Sequence, residues 1–189
     1  MTHLVVDVGN TETVLGLFRP GSLDVLAHWR YNTSVPRTPE ELLLLYRMFL
    51  KDTGIIERKG VARVVVGSVS PVQTELLRRT LPGLEPDRVH VLESADGLPI
   101  SLDVEEPGTV GPDRIANTLA ASHLYDQDLI VVDLGTAITY DCIAAGGRFL
   151  GGVIAPGLLS GQEWLAGRTA KLPRVELRPP DTVIGRRTE

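Results

Sequence analysis

Asp7 and Asp133 each close an apolar run and stand two residues before a glycine, and 126 residues separate the two copies. Residues 4–18 read LVVDVGNTETVLGLF and residues 129–143 read LIVVDLGTAITYDCI. Asp133, Gly135, Thr136 and Thr139 take the places of Asp7, Gly9, Asn10 and Thr13. β-Branched runs on both sides of a glycine-bearing corner predict strand, tight turn, strand. A unit of this kind met twice predicts a duplicated fold whose two turns face each other. Taken singly, either stretch also fits an ordinary hairpin with a polar tip. The pair fits something more specific: two turns, one for each end of a bound phosphate chain. Backbone N–H groups in such a corner can cradle phosphate while the Asp holds the metal that travels with it.

At 189 residues the chain can form one large domain or two small ones. A hydrophobic content of 43% supplies a core, while a net charge of −5 and few aromatic residues argue against a nucleic-acid surface. Cys142 is alone, so it cannot pair within the chain, and its apolar strand predicts a buried structural thiol in a reducing compartment. Asp7 interrupts the first apolar run, unlike a signal peptide, and no apolar run is long enough to span a membrane. A cytoplasmic protein is expected. His3, His28, His90 and His123 lie too far apart to suggest a metal site. The glycine patterns of P-loop and dinucleotide-binding proteins are both missing.

Between the repeats, residues 23–31 predict a third strand. Thr38, Pro39 and Glu41 predict a capping box opening a helix that ends at Gly54. A strand over 61–68, a helix from Ser70 through Leu81 with Gln73 in its box, and a strand over 88–92 follow. The order β-β-β-α-β-α-β predicts a mixed sheet with helices on its faces. Residues 93–110 read as loop. Gly111-Pro112-Asp113-Arg114 then opens a helix with apolar spacing at Ile115, Leu119 and Leu124, which puts Asp113 at the helix mouth. An Asp there also simply complements the helix dipole. After the second repeat, Gly151-Gly152-x-Ile154-x-Pro156-Gly157 suits close approach of a ligand or tight packing of backbone. Ser160 and Glu163 predict a third capping box, on a short helix to Arg168.

Asp7-x-Gly9-Asn10-Thr11, Gly111-x-Asp113-Arg114, Asp133-x-Gly135-Thr136-Ala137 and Gly151-Gly152-x-Ile154-x-Pro156-Gly157 together resemble the type III pantothenate kinases, of the acetate and sugar kinase/Hsc70/actin superfamily. The resemblance runs the length of the chain, through TAKLPRVEL and IGRRT. It implies an α/β fold of duplicated ribonuclease-H-like lobes with mixed sheets. Residues 1–115 would form the N-terminal lobe and 116–189 the start of the C-terminal one. It further implies ATP-dependent phosphorylation of pantothenate, the first step towards coenzyme A, with Mg²⁺, a monovalent cation (K⁺ or NH₄⁺) and a homodimer. Asp7, Val8, Gly9, Asn10, Thr11, Glu12, Thr13 and Val14 would contact ATP from the first lobe and Thr136 from the second. Asp133 would hold the monovalent cation. Gly111, Pro112, Asp113 and Arg114 would bind pantothenate, with Asp113 as the base for its primary hydroxyl, and Thr188 would touch the substrate.

The chain departs from the family pattern in two places. Leu102 and Glu106-Pro107 stand where the family's substrate loop carries a tyrosine and an Asn-Pro, and the loop is two residues longer. Family chains also continue past the IGRRT segment. An incomplete second lobe is therefore expected, in a fragment, a truncated product or a decayed member, with weak turnover and poor nucleotide binding. Two other classes stay open. Another phosphotransferase or phosphohydrolase of the superfamily would keep both Asp-x-Gly turns and replace the Gly-x-Asp-Arg corner. A non-catalytic descendant would bind nucleotide, or a protein partner, without turnover.

Overall fold

The computed structural model describes residues 2–51, 53, 61–80, 88–179 and 181–186. Two sheets organise them. The first begins with β1 (Thr2–Val8), β2 (Glu12–Phe18) and β3 (Val25–Asn32), an antiparallel meander. Helix α1 (Pro39–Lys51), β4 (Val61–Ser68), helix α2 (Pro71–Thr80) and β5 (Val89–Leu92) follow. β4 and β5 join parallel to β1, so the strand order is β3-β2-β1-β4-β5. The second sheet holds β6 (Ser101–Leu102), β7 (Leu129–Leu134), β8 (Ala137–Ala144) and β9 (Arg148–Pro156) in the order β6-β9-β8-β7. Its meander β7-β8-β9 repeats β1-β2-β3, which gives the duplicated, ribonuclease-H-like α/β architecture. Helix α3 (Pro112–Tyr125) precedes β7, and helix α4 (Leu158–Arg168) follows β9.

Local chemistry explains most boundaries. Thr38 and Glu41 exchange bonds as a capping box does: the Thr38 N–H donates to the Glu41 carboxylate (2.8 Å) and the Glu41 N–H to Thr38 Oγ1 (3.2 Å). At α2 only half the box forms. The Gln73 N–H reaches Ser70 Oγ at 3.5 Å, while the Gln73 amide donates to the Thr33 carbonyl. Strand β3 starts at Val25 rather than Leu23, because residues 19–24 close a turn through the Arg19 carbonyl and Ser22 Oγ. Gly54 and Leu81, the expected helix ends, lie outside the described residues.

Period-two alternation buries Leu4, Val6 and Val8 of β1 with Leu15, Leu17, Val64 and Val66. Leu42 and Tyr46 of α1 and Leu77 of α2 cover that face. A second, smaller core joins Ala121 of α3 to Ile143 and Phe149, with Leu129 and Val131 against it. On α3 the buried stripe is Ile115, Thr118 and Ala121, and Leu124 is exposed. Small residues at 118 and 121 suit a helix that contacts β4 of one sheet and β7 and β8 of the other. Helix α4 begins at Leu158 behind Gly157, so Ser160 lies in its first turn and is not its cap. The Ser160 hydroxyl donates instead to the Thr136 carbonyl, and Glu163 pairs with Arg174. Among the described residues no helix is long and apolar enough to cross a membrane.

Candidate functional site

The two Asp-x-Gly turns differ by one residue. Between β1 and β2 lie residues 9–11, closed by the Gly9 N–H on the Glu12 carbonyl (3.0 Å); between β7 and β8 lie only 135–136, closed by the Gly135 N–H on the Ala137 carbonyl (2.9 Å). Strand pairing shifts with the turn. Thr13 stands opposite Val8, but Thr139 stands opposite Asp133. A one-residue slip sends side chains to the other face. Thr13 is fully buried, and its hydroxyl is committed to Thr33 Oγ1 at 2.8 Å, which pins the chain just after β3.

The tips of the turns meet. Thr11 Oγ1 and Thr136 Oγ1 are 2.7 Å apart, a hydroxyl pair 125 residues apart in sequence. Asp7 alternates with the buried Val6 and Val8 and therefore leaves the face that α1 and α2 cover. Asp133 shares its strand parity with Leu129 and Val131, the residues that pack toward α3. Asp113 sits in the first turn of α3. The three carboxyls are within electrostatic reach of one another: Asp7 is pushed above the usual carboxylate range, first by desolvation and then by the charges of Asp113 and Asp133.

The corner before α3 is built tightly. Gly111 is the N-cap in an extended conformation and Pro112 fills the first helical position. Asp113 Oδ1 accepts the Arg114 N–H at 2.9 Å, and a side chain at 111 would overlap that carboxylate. Beside the corner, a groove of about 570 Å³ is lined by Val110, Gly111 and Pro112 together with Ser68, Thr74 and Arg78.

Arg114 runs back into the second sheet. Its Nε donates to Asp141 Oδ1 at 2.6 Å, with Nη2 equally close, and its guanidinium lies 4.9 Å from the centre of the Phe149 ring. Asp141 is wholly buried. Burial raises its carboxyl; Arg114 lowers it, Asp113 and Asp133 raise it, and the net direction is up. Sequence reading did not single out Asp141. Its signal was an acid on the inward parity of β8, two residues before the buried Ile143, where a charge needs a partner.

The glycine-rich run serves packing at two points. A Cβ at 152 would overlap the Tyr140 carbonyl and stand 2.6 Å from Arg114 Nη2, and one at 157 would overlap the Gly135 and Thr136 carbonyls. The Gly157 N–H donates to the Thr136 carbonyl at 3.0 Å, holding α4 against the second turn. Leu102 pairs with Phe149 between β6 and β9, and Glu106-Pro107 opens a 3₁₀ turn over Pro107–Thr109 that leads to the corner. Cys142 is half-buried in β8. Thr188 lies outside the described residues.

Comparison with known proteins gives this arrangement a family. The family model for type III pantothenate kinase matches residues 3–189. A type III pantothenate kinase from Frankia alni is 40% identical over 186 residues, covering 98% of this chain and 71% of that protein. The Geobacillus kaustophilus type III pantothenate kinase is 38% identical, covering 97% of this chain and 70% of that protein. Among solved structures, a Baf family protein from Campylobacter jejuni superposes with a TM-score of 0.52 at 22% identity, over 89% of this chain and 62% of that one. The ethanolamine utilization protein EutJ from Carboxydothermus hydrogenoformans gives 0.51 at 16% identity, over 88% and 56%. Both of these likenesses are of fold.

Proposed function

The chain belongs to the type III pantothenate kinases, whose reaction moves a phosphoryl group from ATP to pantothenate at the start of coenzyme A synthesis, and we propose how its residues divide that work. Residues 7–14 and Thr136 hold the phosphates of ATP. Thr13 contributes through its backbone, since its hydroxyl is already bonded to Thr33. Residues 111–114 hold pantothenate, and Asp113 accepts the proton of its primary hydroxyl. The observation that carries this reading is the 2.7 Å approach of Thr11 to Thr136. It joins the two turns at one place, with Asp113 close enough to act on the charge of Asp7.

Phosphoryl transfer through a loose, in-line transition state asks the protein mainly for positioning and charge neutralisation. An ordinary carboxylate is a weak base for an alcohol. The proton leaves late, however, so an oriented Asp suffices. The crowded carboxyls suit cations. Mg²⁺ is usually held by one or two carboxylates and the substrate's phosphates rather than by an all-protein cage. Asp7 would hold Mg²⁺ and Asp133 the monovalent K⁺ or NH₄⁺. When bound, these ions neutralise charge on the phosphates. The reading also assigns residues 1–115 and 116–189 to two lobes meeting on α3, in a cytoplasmic homodimer.

Asp113→Asn tests it. Turnover should fall by about 10²–10⁴-fold, the usual worth of a positioned base, while ATP affinity by titration calorimetry stays near that of the parent. Parental turnover in the variant would reduce Asp113 to a helix-start residue.

A further inference from the structure

Asp141 takes no part in the division of labour above, yet it is buried in a costly way. Its side chain is wholly inaccessible and its Oδ2 has no hydrogen-bond partner among the described residues, while Arg114 Nη2 stands 2.6 Å from Oδ1 as an ion pair. Replacing a buried ion pair with apolar residues of similar volume is often neutral or stabilising, so stability alone is a poor account of the pair. Its surroundings are shaped to hold the guanidinium from three sides. Asp141 Oδ1 takes Nε at 2.6 Å, the Phe149 ring lies 4.9 Å away, and the bare Cα of Gly152 leaves room for Nη2. The fixed side chain belongs to the residue whose own N–H holds Asp113 Oδ1 at 2.9 Å.

We propose that Asp141 is a positioning residue for the phosphoryl transfer: it anchors Arg114 to β8 and, through the Arg114 backbone, sets the direction of the Asp113 carboxylate. The chain of contacts runs from the second sheet, across the first turn of α3, to the group that meets the acceptor hydroxyl. Without Asp141 the guanidinium loses its anchor, the first turn of α3 gains rotamer freedom, and Asp113 samples orientations away from the hydroxyl. Displacements of about 1 Å at a reacting group can cost on the order of 10²-fold in rate.

The inference rests on Asp113 being the base, and a double-mutant cycle separates the two claims. In the parental chain, Asp141→Asn should lower kcat about 10- to 100-fold, with the KM for ATP little altered. In an Asp113→Asn background the same substitution should have no further effect on kcat, because there is no base left to orient. A role confined to packing would lower stability and raise both KM values alike, in either background. If Asp141→Asn does not fold, Arg114→Met/Asp141→Leu removes both charges together and should fold; a fall in kcat at saturating pantothenate that disappears in an Asp113→Asn background supports the proposal, since a lost pantothenate contact alone would act in both backgrounds. Parental kcat in folded Asp141→Asn, or in the apolar pair, overturns it, as does an equal loss with and without Asp113. Parental turnover in Asp113→Asn itself overturns the assignment of the base and this inference with it.

Discussion

At the scale of single residues, Asp7 shows how function and stability pull apart. Its carboxyl is raised by desolvation and by its acidic neighbours Asp113 and Asp133, so its ionised form is disfavoured in the folded chain. The sign of the linkage follows. Below the ordinary carboxylate range both folded and unfolded chains carry the proton, and Asp7 costs nothing. As pH rises, the unfolded chain ionises first, and the fold loses stability until pH has passed the raised folded value. Asp7→Asn should therefore raise Tm at neutral pH, with the gain shrinking toward zero as pH falls below about 4, the unperturbed carboxylate value. If Asp7 holds the cation as proposed, turnover should be lost at the same time, the usual trade of stability against activity. Thermal melts of both chains across pH check the sign; a lower Tm for the variant at neutral pH would mean that Asp7 is held by a favourable partner.

At the scale of elements, the capping boxes sort by what else their side chains can reach. Thr38 and Glu41 have only each other and close the reciprocal pair, so Thr38→Ala should cost about 0.5–2 kcal/mol in denaturant unfolding and leave the kinetics intact. A change in ATP affinity in that variant would tie α1 to the phosphate turns. Gln73 and Ser160 carry the same short motif, but each finds a tertiary carbonyl, at Thr33 and Thr136. The sequence pattern therefore locates all three helices, gets half the box at Ser70 and misjudges the cap at Ser160. The strands follow similar logic. The Asp-x-Gly spacing showed both hairpins and their duplication, because apolar runs and turn residues are local signals. It hid the shorter second turn, since a constant offset along the chain says nothing about which residues pair across it. Asp141 stayed hidden for a related reason: whether an acid on a strand points inward depends on register, and its partner Arg114 lies on another element.

At the scale of the whole molecule, the duplication makes each sheet a control for the other. Leu4, Val6 and Val8 correspond by the 126-residue offset to Ile130, Val132 and Leu134. In the first sheet α1 and α2 cover them, and their exposures are 1%, 0% and 0%. In the second, the equivalent side chains are 62%, 49% and 70% exposed, and Leu158 and Trp164 of α4 are exposed as well. Equivalent apolar positions thus meet opposite environments, and energetics should follow the environment. Leu4→Ala should cost about 2–5 kcal/mol, since it removes buried methyl groups and leaves a cavity. Ile130→Ala should cost no more than about 0.5 kcal/mol, as for other exposed positions. Urea unfolding of the two variants beside the parent, at several protein concentrations, measures the contrast. Near-equal losses would show that the second face is covered in solution. A loss at 130 that grows with protein concentration would place the cover on another molecule, because association stabilises by mass action. A loss independent of concentration would place it within the chain.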